Sequence, residues 1–186
     1  MTTKRHVALL RGINVGGNNL IKMTELKQSF SEMGFAGVET YIASGNVIFS
    51  AKASPRAKLE KTIEAGLERS LGYTLPVVVL SGDELALVVK EAPRGFGKES
   101  KKYRYDVLFV KKPLVAREAL ELVPVKEGVD VAAAGKHALY FRRLISKATQ
   151  SRLSRIVQLP IYREITIRNF NTTTKLLERV QAEDSG

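Results

Sequence analysis

Residues 38–49, Val-Glu-Thr-Tyr-Ile-Ala-Ser-Gly-Asn-Val-Ile-Phe, decide how this chain folds. Two runs rich in β-branched and aromatic residues flank Ser44-Gly45-Asn46, and a polar, glycine-bearing triplet between such runs turns one strand back on the next. On the N-terminal side of this hairpin, Met23, Leu26, Phe30 and Met33 recur three and four residues apart, a helix that Gly34 is placed to end with a left-handed cap. Ahead of it, the apolar run 6–10 reads as a strand entering a glycine-rich loop, residues 11–19. On the other side, Ser54-Pro55 predicts an N-cap with proline at the first helical position. Leu59, Ile63, Leu67 and Leu71 then repeat at four-residue spacing until Gly72. Residues 75–80 read as a buried strand, and Ser81-Gly-Asp-Glu84 has the spacing of a capping box opening a helix through Leu85, Val88 and Val89 that Pro93 ends.

The second half repeats the order. A strand over 105–110, a short helix over 114–122 and a hairpin over 129–133 and 138–141 are followed by a helix over 147–157. A strand over 161–167 and a closing helix over 174–180 complete the series. The fold expected is α+β: two tandem ferredoxin-like βαββαβ units, each with an appended helix, over residues 1–93 and 94–186, with 93–102 as the connection. A single continuous mixed sheet is the competing architecture. In such a plait the first and third strands are central, and one face of each sheet carries no helix.

Composition narrows the chemistry. With 186 residues and 44% apolar content the chain can bury a core, and no run approaches the roughly 18 apolar residues of a membrane span. No secretory segment opens it, so a cytoplasmic protein is expected. Absence of cysteine excludes disulfides, thiolate metal sites and a cysteine nucleophile, and two histidines, His6 and His137, supply no metal-ligand pair. No metal and no cofactor are expected. The net charge of +11 is uneven: residues 1–93 hold 11 Lys+Arg against 9 Asp+Glu, residues 94–186 hold 19 against 10. That surplus favours anionic partners.

Three polar motifs stand where strands meet loops. Arg11-Gly-Ile-Asn-Val-Gly-Gly-Asn-Asn19 places backbone N–H groups of Gly12, Gly16 and Gly17 to converge on an anion beside Arg11, but its spacing is neither a dinucleotide fingerprint nor a P-loop. Glycine turn chemistry explains it as well. Arg168-Asn-Phe-Asn-Thr-Thr-Thr-Lys175 opens a helix with Asn171 or Thr172 as N-cap, and Arg168, Asn169, Asn171 and Lys175 are donors suited to an anion or amide. Ser44 and Asn46 lie at the hairpin tip, first as turn residues and second as recognition groups. Residues 95–100 imitate a P-loop but lack its first glycine and its magnesium hydroxyl. Lys101 and Lys102 beside Tyr103 and Tyr105, with Arg142, Arg143, Lys147, Arg152 and Arg155, form a basic-aromatic array suited to phosphate contact and base stacking. A solvated helix face is the plainer reading.

Residues 9–17, 40–49 and 167–176, Leu-Leu-Arg-Gly-Ile-Asn-Val-Gly-Gly, Thr-Tyr-Ile-Ala-Ser-Gly-Asn-Val-Ile-Phe and Ile-Arg-Asn-Phe-Asn-Thr-Thr-Thr-Lys-Leu, resemble the bacterial family called domain of unknown function 1697. Phe170 stands where tryptophan is expected in the third motif. The resemblance implies an α+β fold with related subdomains and assigns no activity. It draws attention to Arg11, Asn14, Gly16, Gly17, Ser44, Asn46, Arg168, Asn169, Asn171 and Lys175, which fall inside the family motifs.

The function expected is binding of a small anionic, phosphate-bearing ligand in a polar cleft between the halves. Arg11 and Arg168 would hold the anion and Lys175 would add a point charge. The alternative is a nucleic-acid module using Lys101, Lys102, Arg152 and Arg155. The sequence leaves open whether the chain is an enzyme: Asp106 and Glu164 are candidate acids, but no paired carboxylates or activated base accompany them.

Overall fold

The computed structural model describes residues 3–14 and 20–182. The first half runs β1 (Thr3–Leu10), α1 (Met23–Glu32), β2 (Ala36–Tyr41), β3 (Asn46–Lys52), α2 (Arg56–Leu71), β4 (Val77–Ser81) and α3 (Gly82–Lys90). The second runs β5 (Tyr103–Val110), α4 (Ala116–Leu122), β6 (Asp130–Ala134), β7 (Ala138–Leu144), three 3-10 turns, β8 (Ile165–Asn169) and α5 (Phe170–Gln181). Two four-stranded antiparallel sheets result, ordered β2-β3-β1-β4 and β6-β7-β5-β8. The first and third strands of each half are central, as the ferredoxin-like plait requires. By contact the chain divides into two compact units, one up to Leu85 together with Leu176 onward, the other from Ala86 to Lys175.

In the first unit, alternation along β1 sends Ala8 and Leu10 to the helix side, where they meet Val47, Phe49, Val77 and Val79. Leu26 and Phe30 of α1 and Leu59, Ile63 and Leu67 of α2 close this core. Each fully buried Leu or Phe contributes about 1.5–3 kcal/mol. Helix α2 begins one residue later than its sequence suggests, with Pro55 in place of Ser54 as the cap. The capping box forms as read, with Ser81 N–H on Glu84 Oε2 at 2.8 Å and Glu84 N–H on Ser81 Oγ at 3.2 Å.

The edge strand β4 is closed off by carboxylates. Its outward N–H groups at Val77, Val79 and Ser81 donate to Glu64 (2.9 Å), Glu60 (3.0 Å) and Glu84 (2.8 Å). The spacing that buries Leu59 and Ile63 places Glu60 and Glu64 one residue on, facing that edge.

In the second unit, Leu108, Val110, Leu139, Phe141 and Ile165 pack against Ala116, Ala119 and Val123 and against Leu153 and Ile156. Here the expected helix over 147–157 is replaced by 3-10 turns at Ile145–Gln150, Leu153–Gln158 and Pro160–Glu164, and the expected strand over 161–167 starts only at Ile165. The cause is visible in spacing: Leu153, Ile156, Leu159 and Tyr162 recur every three residues, the 3-10 period, not every 3.6. Asp130 fixes the segment by accepting the Arg152 N–H at 2.9 Å and the Lys126 N–H at 3.0 Å.

Candidate functional site

In the first unit the fold brings Leu10 and Asn14, at the start of the glycine-rich loop, against the hairpin tip. Leu10 N–H donates to Gly45 O at 2.8 Å, and Asn14, itself at φ 52°, donates through Nδ2 to Ala43 O (3.0 Å) and Ile21 O (3.1 Å). Asn14 Oδ1 accepts the Ile21 N–H at 2.9 Å, so both donors and the carbonyl of this side chain staple the loop. Asn46 is fully buried and spans the hairpin, donating to Tyr41 O (3.0 Å) and Ser44 Oγ (2.9 Å). Ile42, within the first of the two β-rich runs that flank the turn triplet, is instead exposed in the turn at φ 51°, a conformation that β-branched residues rarely adopt. The half-buried Arg11 donates its backbone N–H to Pro76 O at 3.0 Å, while Gly16 and Gly17 lie outside the described residues.

In the second unit the cap of α5 is Asn169, not Asn171 or Thr172. Its Oδ1 accepts the Asn171 N–H at 2.8 Å, and Thr173 Oγ1 donates to Asn169 O at 3.1 Å. Asn171 O accepts from Thr174 Oγ1 at 2.9 Å, and Lys175 is exposed on the following turn. Arg168 donates through Nη1 to Ile167 O at 2.9 Å, and burial pulls its ionisation down to about 10. Asp106 sits on the helix-facing side of β5, paired with Arg143 at 3.1 Å. Burial raises its ionisation, partly offset by Arg143 and Arg104.

The opposite face of the same sheet carries a different chemistry. Strand register sets Tyr105 across from Arg142, and Arg142 and Tyr140 across from Val131 and Ala133. Residues 93–98, read as a connection, are folded into hydrogen-bonded turns, Phe96 N–H to Pro93 O and Lys98 N–H to Gly95 O, with Gly95 and Gly97 at φ 82° and 87°. These turns lay Phe96 on the sheet, its ring centroid 4.8 Å from Tyr105, 5.6 Å from Tyr140 and 5.0 Å from Phe170. Between them opens a cavity of about 230 Å³ lined by Pro93, Arg94, Phe96, Tyr105, Val131, Ala133, Tyr140 and Arg142.

Both phenols of its floor are fixed. Tyr140 donates its hydroxyl to Val88 O at 2.6 Å, with ionisation pushed up by burial and by Glu91, and Tyr105 Oη accepts the Glu99 N–H at 3.2 Å. The Arg142 guanidinium lies 4.4 Å from the Tyr103 ring centroid and Lys102 Nζ 5.1 Å from it. Lys101 and Arg155 are exposed, while Arg152 sends Nη1 to Val125 O at 3.4 Å.

Charge follows the same division. The unit Ala86–Lys175 holds 19 Lys+Arg and 8 Asp+Glu, a net +11, so the rest of the chain is neutral. Arg94, Phe96 and Tyr140 escaped the reading of the sequence. The signal was present in the alternation Tyr103-x-Tyr105 and Tyr140-x-Arg142, which puts two rings on one face of β5 and a ring with a cation on the same face of β7. Among the described residues no helix is long and apolar enough to cross a membrane.

The conserved bacterial protein SP0830 from Streptococcus pneumoniae shares the fold at a TM-score of 0.82 and 27% identity, over 96% of this chain and 99% of that one. No curated protein matches the chain. The family described as "Protein of unknown function (DUF1697)" matches residues 3–140, three quarters of the sequence, and this chain belongs to it.

Proposed function

We propose that this protein binds a small anionic ligand bearing a flat ring, in the cavity of its second unit. The observation that carries the reading is that two arginines, Arg94 and Arg142, line one cavity together with Phe96, Tyr105 and Tyr140. Arginine supplies planar, paired donors to phosphate or carboxylate, and the ring walls supply stacking and exclude water. About 230 Å³ suits a phenyl phosphate or the base end of a nucleotide. The test is isothermal titration of the full chain with phenyl phosphate, against phenol and inorganic phosphate. Phenyl phosphate binds tighter than either fragment, and Arg142→Ala weakens it about tenfold or more, the loss of a charge-assisted pair. Equal binding of phosphate and phenyl phosphate rejects the ring-stacking half of the reading.

A second reading, single-stranded nucleic acid, is favoured by the confinement of the whole +11 to the second unit and by Tyr103 with Lys102 and Arg142 at its ring. On that reading log affinity for a single-stranded RNA falls with log salt at about 0.7 per phosphate neutralised, and Lys101→Ala with Lys102→Ala lowers the slope.

A further inference from the structure

We infer that the outer edge of β6 is a docking edge for an extended acidic peptide segment of another protein, which adds to the second sheet as a fifth strand and sets one side chain into the Phe96–Tyr140 cavity. The inference rests on the ligand-binding reading of that cavity and names a partner for it.

The backbone of β6 shows which groups are open. Gly135 N–H bonds Ala138 O and Leu144 N–H bonds Val129 O, both at 2.9 Å, so positions 129, 131, 133 and 135 face β7 and positions 130, 132 and 134 face outward. The outward N–H of Asp130 is taken by Lys126 O at 2.8 Å. Among the described residues, the N–H and C=O groups of Ala132 and Ala134 bond no other backbone group.

The contrast with the first sheet is direct. There β4 has its three outward N–H groups covered by Glu60, Glu64 and Glu84, and β2 is interrupted by a register shift between Ala36 and Glu39. Carboxylate covers and bulges are the means by which proteins keep edges from pairing. β6, Asp-Val-Ala-Ala-Ala, has an unbroken register, no lysine, no proline and an exposed Val131 (52%). A strand laid along it places alternate side chains on the face of Val131 and Ala133, and those two residues line the cavity. Only the methyl of Ala133 separates that position from Tyr140 in the strand order.

Charge selects the occupant. A second copy would bring two +11 units together across this edge, whereas an acidic strand meets Arg94 and Arg142 at the cavity and Lys136 at the end of β6. Nucleic acid has no peptide groups to match the open backbone.

The experiment uses the full chain and a fluorescein-labelled heptapeptide alternating Glu and Val around a central Phe, read by anisotropy, with a Lys-for-Glu counterpart and a labelled single-stranded RNA as comparators. The acidic peptide binds at least tenfold tighter than the lysine peptide and slows amide exchange at Ala132 and Ala134. Ala132→Pro and Ala134→Pro each remove an outward N–H that no strand of the sheet uses, at positions outside the cavity lining. Each weakens the peptide at least tenfold while phenyl phosphate titrates as in the parent. Peptide binding insensitive to both variants overturns the inference, as does tight RNA binding with no acidic-peptide binding. Phenyl phosphate bound without peptide sinks the edge alone, and neither ligand bound sinks the cavity reading with it.

Discussion

A Cβ placed on Gly97 would lie 2.8 Å from the ring of Phe170, in a backbone at φ 87° that favours glycine. Gly97 is the hinge that lets residues 93–98 fold onto the second sheet and bring Phe96 over Tyr105 and Tyr140. Gly97→Ala therefore displaces the wall of the cavity. The expected cost is about 1–3 kcal/mol in the urea transition, from left-handed strain and overpacking, together with loss of phenyl phosphate binding. Unchanged binding and stability would show that the turns do not shape the cavity.

Glu60 is nearly fully buried, and its Oε1 holds both the Val79 N–H at 3.0 Å and Arg56 Nε at 2.9 Å. Glu60→Ala leaves a buried N–H without its acceptor, at a cost of about 1–3 kcal/mol, and reopens the β4 edge. The variant melts earlier and scatters more light as its concentration rises. Equal melting without association would mean that the carboxylate only decorates the edge.

His6 supplies the pH dependence. It is buried, its ring stacked 5.5 Å from Phe49, with Nδ1–H on Lys4 O at 2.9 Å, in a cavity shared with Lys4, Arg56 and Glu84. Burial lowers its ionisation below 6.5, outweighing the Lys4 carbonyl and Glu84, which raise it. Below 6.5 the unfolded chain takes up the proton first, so this stabilisation is complete above 6.5 and declines as pH falls toward the lowered folded value. The urea midpoint drops between pH 7 and pH 5, and His6→Phe flattens that slope. A parallel slope in the variant would assign the effect to other groups.

How much of this was legible follows from the physics of each signal. The plait was, because βαββαβ patterns rest on local periodicity: Leu59, Ile63 and Leu67 declare a helix, and Ser44-Gly45-Asn46 declares a turn. The expected helix over 147–157 failed because a 3-10 repeat at Leu153, Ile156 and Leu159 overlaps the helical pattern within one or two turns. The cavity was hidden for another reason. Tyr140 lies 35 residues from Tyr105 and 44 from Phe96, and only strand register and the turns at Gly95 and Gly97 bring the three together. Polar motifs drew attention first, yet Asn14 and Asn46 spend their amides holding loops, which looks the same in sequence as holding a ligand.

The most direct measurement of the central claim is an amide and aromatic NMR titration of the full chain with phenyl phosphate. Binding in the second unit predicts saturable shifts at Arg94, Phe96, Tyr105, Ala133, Tyr140 and Arg142, reduced in Arg142→Ala, with the resonances of Arg11, Asn14 and Ser44 left in place. Saturable shifts centred on Arg11 and Asn14 with the second unit unmoved, or no saturable shift at any millimolar concentration, would contradict it.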